Sequence, residues 1–179
     1  MKSERKLYTY YNMKKFLKFS GIIAVGLAVV AMILMMTTPA LYYKGTVLGT
    51  TVESTVPGTD AIFGNGSFKL GWPALLAWIF ILVALVVLIA GIVLPMLKIK
   101  VPVAGILNLV AVALLIVAGI FMFLVKGALV DANQGAWGIS GAALNEHGMG
   151  AGWVIAAILA IAGGVVAVLP AALDFNKKK

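Results

Sequence analysis

Few residues in this chain carry the side chains that chemistry ordinarily needs. The sole histidine, His147, stands in Asn145-Glu146-His147-Gly148, with Asp131 earlier in the same glycine-rich stretch. A metal site or a general base needs two or more convergent groups. His147 lacks such partners in sequence and reads as a solvated surface residue. There is no cysteine, which excludes disulfide, thiolate and iron–sulfur chemistry. No H-E-x-x-H, G-x-S-x-G, P-loop or G-x-G-x-x-G pattern occurs. No catalytic, cofactor-binding or metal site is therefore expected, and no enzymatic activity. Asn65-Gly66-Ser67 fits the N-glycosylation pattern, which matters only in a eukaryotic secretory route. Asn108 is the only amide deep in an apolar run. It is a candidate intramembrane polar contact, either an interhelical hydrogen bond or a polar point for a permeating or lipid ligand.

The elements that must carry these residues are apolar. The 179 residues are 63% hydrophobic and 11% charged, with a mean hydropathy of +1.09. Soluble domains carry about a quarter charged residues. Four runs have no charged residue: Phe19–Tyr43, Leu70–Leu97, Val101–Val125 and Gly148–Leu173. Roughly 20 apolar residues of helix cross a hydrocarbon core of about 30 Å, so each run is long enough to span. Without water, every backbone amide must be satisfied internally, by helices or a closed barrel. No period-two alternation is present, which selects helices.

Charge sets the expected orientation. Lys2, Arg5, Lys6, Lys14, Lys15, Lys18, Lys98, Lys100 and Lys177, Lys178 and Lys179 fall on one side, with Glu4 and Asp174. Lys44, Lys69 and Lys126 fall on the other, with Glu53, Asp60, Asp131 and Glu146. The positive-inside rule then places both termini in the cytoplasm. The net charge of +8 is read as a topology signal, with lysines touching anionic lipid. No nucleic-acid partner is expected, since no folded domain is left to shape a groove.

The expected fold is an all-α membrane protein, one domain over residues 1–179. A cytoplasmic tail covers residues 1–15 and the first transmembrane helix 16–38. That apolar run is long for a signal-peptide core, and Pro39 sits awkwardly at the supposed cleavage point, so it is expected to stay uncleaved. The first outer loop covers residues 39–71. In it, β-branched Thr46–Val56 and the turn signals Pro57-Gly58-Thr59-Asp60 and Asn65-Gly66 predict a small two- or three-stranded sheet on the outer mouth. The second helix covers 72–94 and stops at Pro95. An inner loop of 95–102 makes the second and third helices antiparallel neighbours. The third helix covers 103–125, and the second outer loop 126–150, with a short helical turn near Ala142–Glu146. The fourth helix covers 151–172 and a cytoplasmic tail 173–179.

Gly71-Trp72 opens the second helix and Gly152-Trp153 the fourth. Lys44-Gly45 follows the first and Lys126-Gly127 the third; Leu94-Pro95 closes the second and Leu169-Pro170 closes or kinks the fourth. The order suggests a 2+2 tandem repeat about a membrane-normal axis. Trp72, Trp153, Lys44 and Lys126 are read as interface anchors, with indoles at headgroup level and lysines snorkelling.

Small residues recur every seven positions. They are Ala24 and Ala31; Ala77, Ala84 and Gly91; Ala104, Ala111 and Ala118; and Ala157, Gly164 and Ala171. Such spacing lies on one face in a left-handed bundle, and in lipid small residues drive association by letting backbones approach. The fourth helix is small on several faces and is expected to touch the most neighbours.

The layout resembles small four-span membrane proteins of low-GC Gram-positive bacteria. It also resembles the claudin-type tetraspan layout, with inside termini, a β-rich first outer loop and a shorter second one. The claudin loop motif of Gly-Leu-Trp and two cysteines is missing here, so the resemblance carries no functional residue. The sequence leads to a non-enzymatic integral membrane protein of the bacterial cell envelope, an accessory or scaffolding subunit of a membrane complex. Its partners would be the lipid bilayer and another membrane protein or a second copy. The alternative is a small transporter component or a lipid- or small-solute-handling subunit.

Overall fold

A computed structural model describes residues 2–47, 49–66, 68–97, 104–133 and 144–176. The order is α1 (Lys2–Thr37), β1 (Pro39–Val47), β2 (Thr50–Pro57), α2 (Gly58–Phe63), α3 (Trp72–Met96), α4 (Ala104–Ala132), β3 (Leu144–Met149) and α5 (Ala151–Asn176). Four helices are long and apolar enough to cross a membrane, over Phe19–Thr37, Trp72–Leu94, Gly105–Ala132 and Ala151–Leu169. The protein is a multi-pass integral membrane protein on that ground.

The helices form a four-membered bundle. α5 packs on α1 and α4, α4 also packs on α3, and α1 touches α3 less extensively. The small residues lie inside. Ala24, Ala28 and Ala31 of α1, Ala77 and Ala84 of α3, Ala111 and Ala118 of α4, and Ala157 and Ala160 of α5 are all fully buried. Close approach explains why. A Cβ at Gly119 of α4 would fall 2.9 Å from the Ala157 carbonyl oxygen of α5, and one at Gly164 would fall 3.2 Å from that of Val112. Any larger residue there would drive two backbones apart. The Ala104 side chain lies outside the described residues, as do residues 98–103 with Lys98 and Lys100.

Four helix boundaries differ from the sequence expectation. α4 does not stop at Val125 but runs to Ala132. Its buried stripe continues through Val125 and Leu129 to Asn133, so Lys126 and Asp131 ride on a helix and not in a loop. An apolar span of 28 residues is about 42 Å long at roughly 1.5 Å per residue. That exceeds a hydrocarbon core of about 30 Å, so α4 reaches beyond it. Pro95 and Pro170 do not end their helices: α3 runs to Met96 and α5 to Asn176. A proline forfeits one backbone bond to the residue four before it, which a packed membrane helix tolerates. α1 is continuous from Lys2, so residues 2–15 extend the helix.

A three-stranded antiparallel sheet caps the end of the bundle where α1 and α4 finish and α3 and α5 begin, in the order β2-β1-β3. Its third strand comes from the segment between α4 and α5. Leu144–Met149 is a strand, where a helical turn near Ala142–Glu146 was expected. Pro57-Gly58-Thr59-Asp60 does not turn between strands but starts the short helix α2. Proline before a helix start and an acid in its first turn suit that role. Gly49 at φ 83° closes the β1–β2 hairpin, a conformation that favours glycine.

Candidate interaction surface at the sheet end

The sheet presents two kinds of row. Leu41 pairs with Val56 on one side and Met149 on the other; Leu41 and Val56 are buried against the bundle. The next row, facing away, centres on Tyr42. Its ring lies over Gly148, so that a Cβ there would collide with it, and the glycine is what admits the ring. The row beyond centres on Lys44, opposite Glu53 and Glu146. Lys44 Nζ lies 2.8 Å from Glu53 Oε1. That hydrogen bond, then the charge of Glu53, holds the lysine above its ordinary pKa. Lys44 is thus a cross-strand ion-pair partner in the central strand. His147 lies in edge strand β3, opposite Tyr43, and is partly buried. Among the described residues no group of three or more His, Cys, Asp or Glu is placed to hold a metal.

β2 forms one edge of the sheet. Thr50, Thr51, Glu53, Ser54 and Thr55 are exposed along it. Such an edge offers unpaired backbone groups to another strand.

The sheet is tied to the bundle at the end of α1. Thr38 and Thr37 turn their hydroxyls back on the Leu34 and Ile33 carbonyls at 2.6 and 2.8 Å. The Met35 carbonyl would accept from residue 39 in a continuing helix, but Pro39 has no N–H. The Trp153 indole supplies the donor instead, at 3.1 Å, and Trp153 is fully buried. Gly58 packs directly against the Met35 carbonyl oxygen, Gly150 against that of Pro39 and Gly152 against the Thr38 side chain. In each case an added Cβ would overlap its neighbour, so the glycines seat α2 and α5 on the α1 terminus.

The two Gly-Trp pairs therefore differ. Trp72 is 55% exposed and Trp153 0%. The helix starts align at another offset. Gly71 accepts from Ala74 and Leu75 and donates to Ala61, while Gly150 accepts from Trp153 and Val154 and donates to Ala40. By that geometry Trp153 corresponds to Ala74, and Trp72 to Ala151.

A second tie rests on a residue not singled out from the sequence. Asn133, just past α4 and 2% exposed, takes both backbone groups of Lys69. It accepts from the Lys69 N–H at 2.6 Å and donates to its carbonyl at 3.0 Å. Its Nδ2 also donates to the Leu129 carbonyl at 3.0 Å. Before it, Asn65 closes a turn, donating to Asp60 Oδ2 at 2.7 Å and accepting from the Phe68 N–H at 2.7 Å. The signal that would have found Asn133 is an amide at the end of a buried stripe, where helix carbonyls lack donors.

Asn108 is buried inside the bundle, and its Oδ1 lies where a Cβ on Gly91 would come within 2.7 Å. The amide thus occupies the space that the glycine vacates between α3 and α4. Lys126 is partly buried on α4, apart from the sheet row that holds Lys44. The chain matches no known family model and no curated protein.

Proposed function

We propose that the protein is a non-enzymatic accessory or scaffolding subunit of a membrane complex in the bacterial cell envelope. Both termini are cytoplasmic, as the lysine distribution implies, and the sheet stands outside. The bundle is read as left-handed from its seven-residue spacing, and the two helical hairpins as a 2+2 duplication that rests on the matched helix starts at Gly71 and Gly150 and no longer on the paired dipeptides.

The observation that carries this reading is the open β2 edge on a sheet anchored to three helix ends. An edge of that kind takes a strand from a partner by main-chain hydrogen bonds, with side chains adding selectivity. Lysines and prolines commonly blunt such edges; β2 has no lysine, and its one proline, Pro57, is its last residue. The anchoring matters because a preorganised edge loses little freedom on binding. A transport role would draw on Asn108, but its position against Gly91 favours packing.

The test is copurification in mild detergent from cells carrying the parent or a Thr51→Lys/Thr55→Lys variant. Both positions are exposed, so the melting temperature should not change. A partner, or a second copy, that accompanies the parent and not the variant supports the scaffold. A parent that comes alone and monomeric, or a variant with the same companions, overturns it.

A further inference from the structure

Where α2 meets the start of α3, a shallow groove of about 450 Å³ is lined by Phe63, Gly64, Asn65, Phe68, Lys69 and Leu70. That volume falls within the range of ligand sites. Phe63 is 50% exposed and Leu70 39%. Next along the chain, Trp72 is exposed in the first turn of α3, where the uncharged span begins. Tryptophan at a span end marks headgroup depth, so the mouth of the groove lies at the lipid boundary.

We propose that this groove binds an anionic glycerophospholipid of the surrounding bilayer. The Lys69 ammonium would meet the phosphate, while Phe63, Phe68 and Leu70 take the upper acyl chain. Three features point to that occupant. Lys69 is exposed, and among the described residues its ammonium has no ion-pair partner. Its backbone N–H and carbonyl are both held by buried Asn133, so the root of the side chain is fixed at one depth while its ammonium can reach a headgroup. Beside the groove, Trp78 packs edge to face with Phe63, centroids 5.3 Å apart. The ring thereby backs the apolar wall of the groove at Phe63; its buried Nε1 does not face the groove's occupant. A lipid brings phosphate and ester oxygens and an apolar chain together at this level, which a free anion does not.

The test is native mass spectrometry of the detergent-solubilised protein titrated with phosphatidylglycerol, phosphatidylcholine or inorganic phosphate. Lys69→Gln keeps the backbone clamp to Asn133 and should melt with the parent. We expect phosphatidylglycerol to be retained in preference to phosphatidylcholine. Lys69→Gln should weaken it about fivefold, the scale of one lysine near an anionic headgroup. Phe68→Ala should also weaken it, and Lys126→Gln should not. Equal retention of both lipids, or no effect of Lys69→Gln, would reduce the groove to ordinary lipid-facing surface. Inorganic phosphate binding as well as the lipid would make it an anion site and overturn the acyl-chain assignment.

Discussion

The Trp153 indole N–H donates to the Met35 carbonyl oxygen at 3.1 Å, bridging the last long helix to the end of the first. It replaces the bond that Pro39 cannot make. A phenylalanine at 153 leaves a buried carbonyl unpaired, at a cost of about 1–3 kcal/mol, and its smaller ring leaves space in a fully buried site. We expect Trp153→Phe to lower the melting temperature in detergent, and Trp72→Phe, at an exposed position, to leave it nearly unchanged. Equal shifts would mean that the two tryptophans serve one role.

Asn133 and Lys69 give a second expectation. Asn133→Ala removes both hydrogen bonds to the Lys69 backbone. At roughly 1 kcal/mol each, their loss favours local opening by about thirtyfold. Amide exchange over residues 68–71 should accelerate accordingly, while exchange in the middle of α3 stays slow. Asn133→Asp keeps an acceptor for the Lys69 N–H but loses the donor to its carbonyl, so it should fall between the two. Uniform exchange in all three proteins would show that the clamp carries no weight.

Sequence reading succeeds here where one physical signal dominates. The four helices follow from uncharged runs longer than the bilayer is thick, and the interior positions of Ala84, Ala111 and Ala157 from their seven-residue spacing. It fails where tertiary pairing overrides local preference. Leu144–Met149 has weak strand character and is a strand because β1 offers it an edge. Ala61-Ile62-Phe63 looks strand-like but is drawn into α2, with Ala61 and Ile62 fully buried. Trp153 and Trp72 share a dipeptide, yet only the three-dimensional position of Met35 separates a buried donor from an exposed ring. Lys44 reads as a snorkelling anchor until its cross-strand neighbours, Glu53 and Glu146, are known.

Lys44 makes the sheet sensitive to alkali. Its pKa is raised in the folded protein, chiefly by the Glu53 hydrogen bond. A raised folded-state pKa stabilises the fold below the ordinary lysine pKa, and that contribution disappears as pH climbs through the raised value. The contribution should therefore be whole at neutral pH and lost only in strong alkali. Because the pair is exposed, salt should weaken it. We expect the parent to lose melting temperature in alkali more steeply than Lys44→Met. Parallel profiles would show that the pair contributes nothing to stability.

The final expectation ranks packing against polarity inside the bundle. Ala84 and Ala111 are fully buried inside the bundle, so the extra volume of Leu at either site must be accommodated between packed helices. Overpacking costs roughly 1–3 kcal/mol. Asn108 instead fills space beside Gly91, and an amide in this setting contributes about 0.6 kcal/mol. Leucine shares the branched outline of asparagine, so that polar contribution is its main loss. In detergent melts, Ala84→Leu and Ala111→Leu should therefore fall well below Asn108→Leu, which should approach the parent. Suppose instead that both alanine variants melt with the parent while Asn108→Leu alone loses partner binding. Association of the helices would then not depend on the small-residue contacts, and Asn108 would mark a functional contact within the membrane, favouring a transport role over a scaffold.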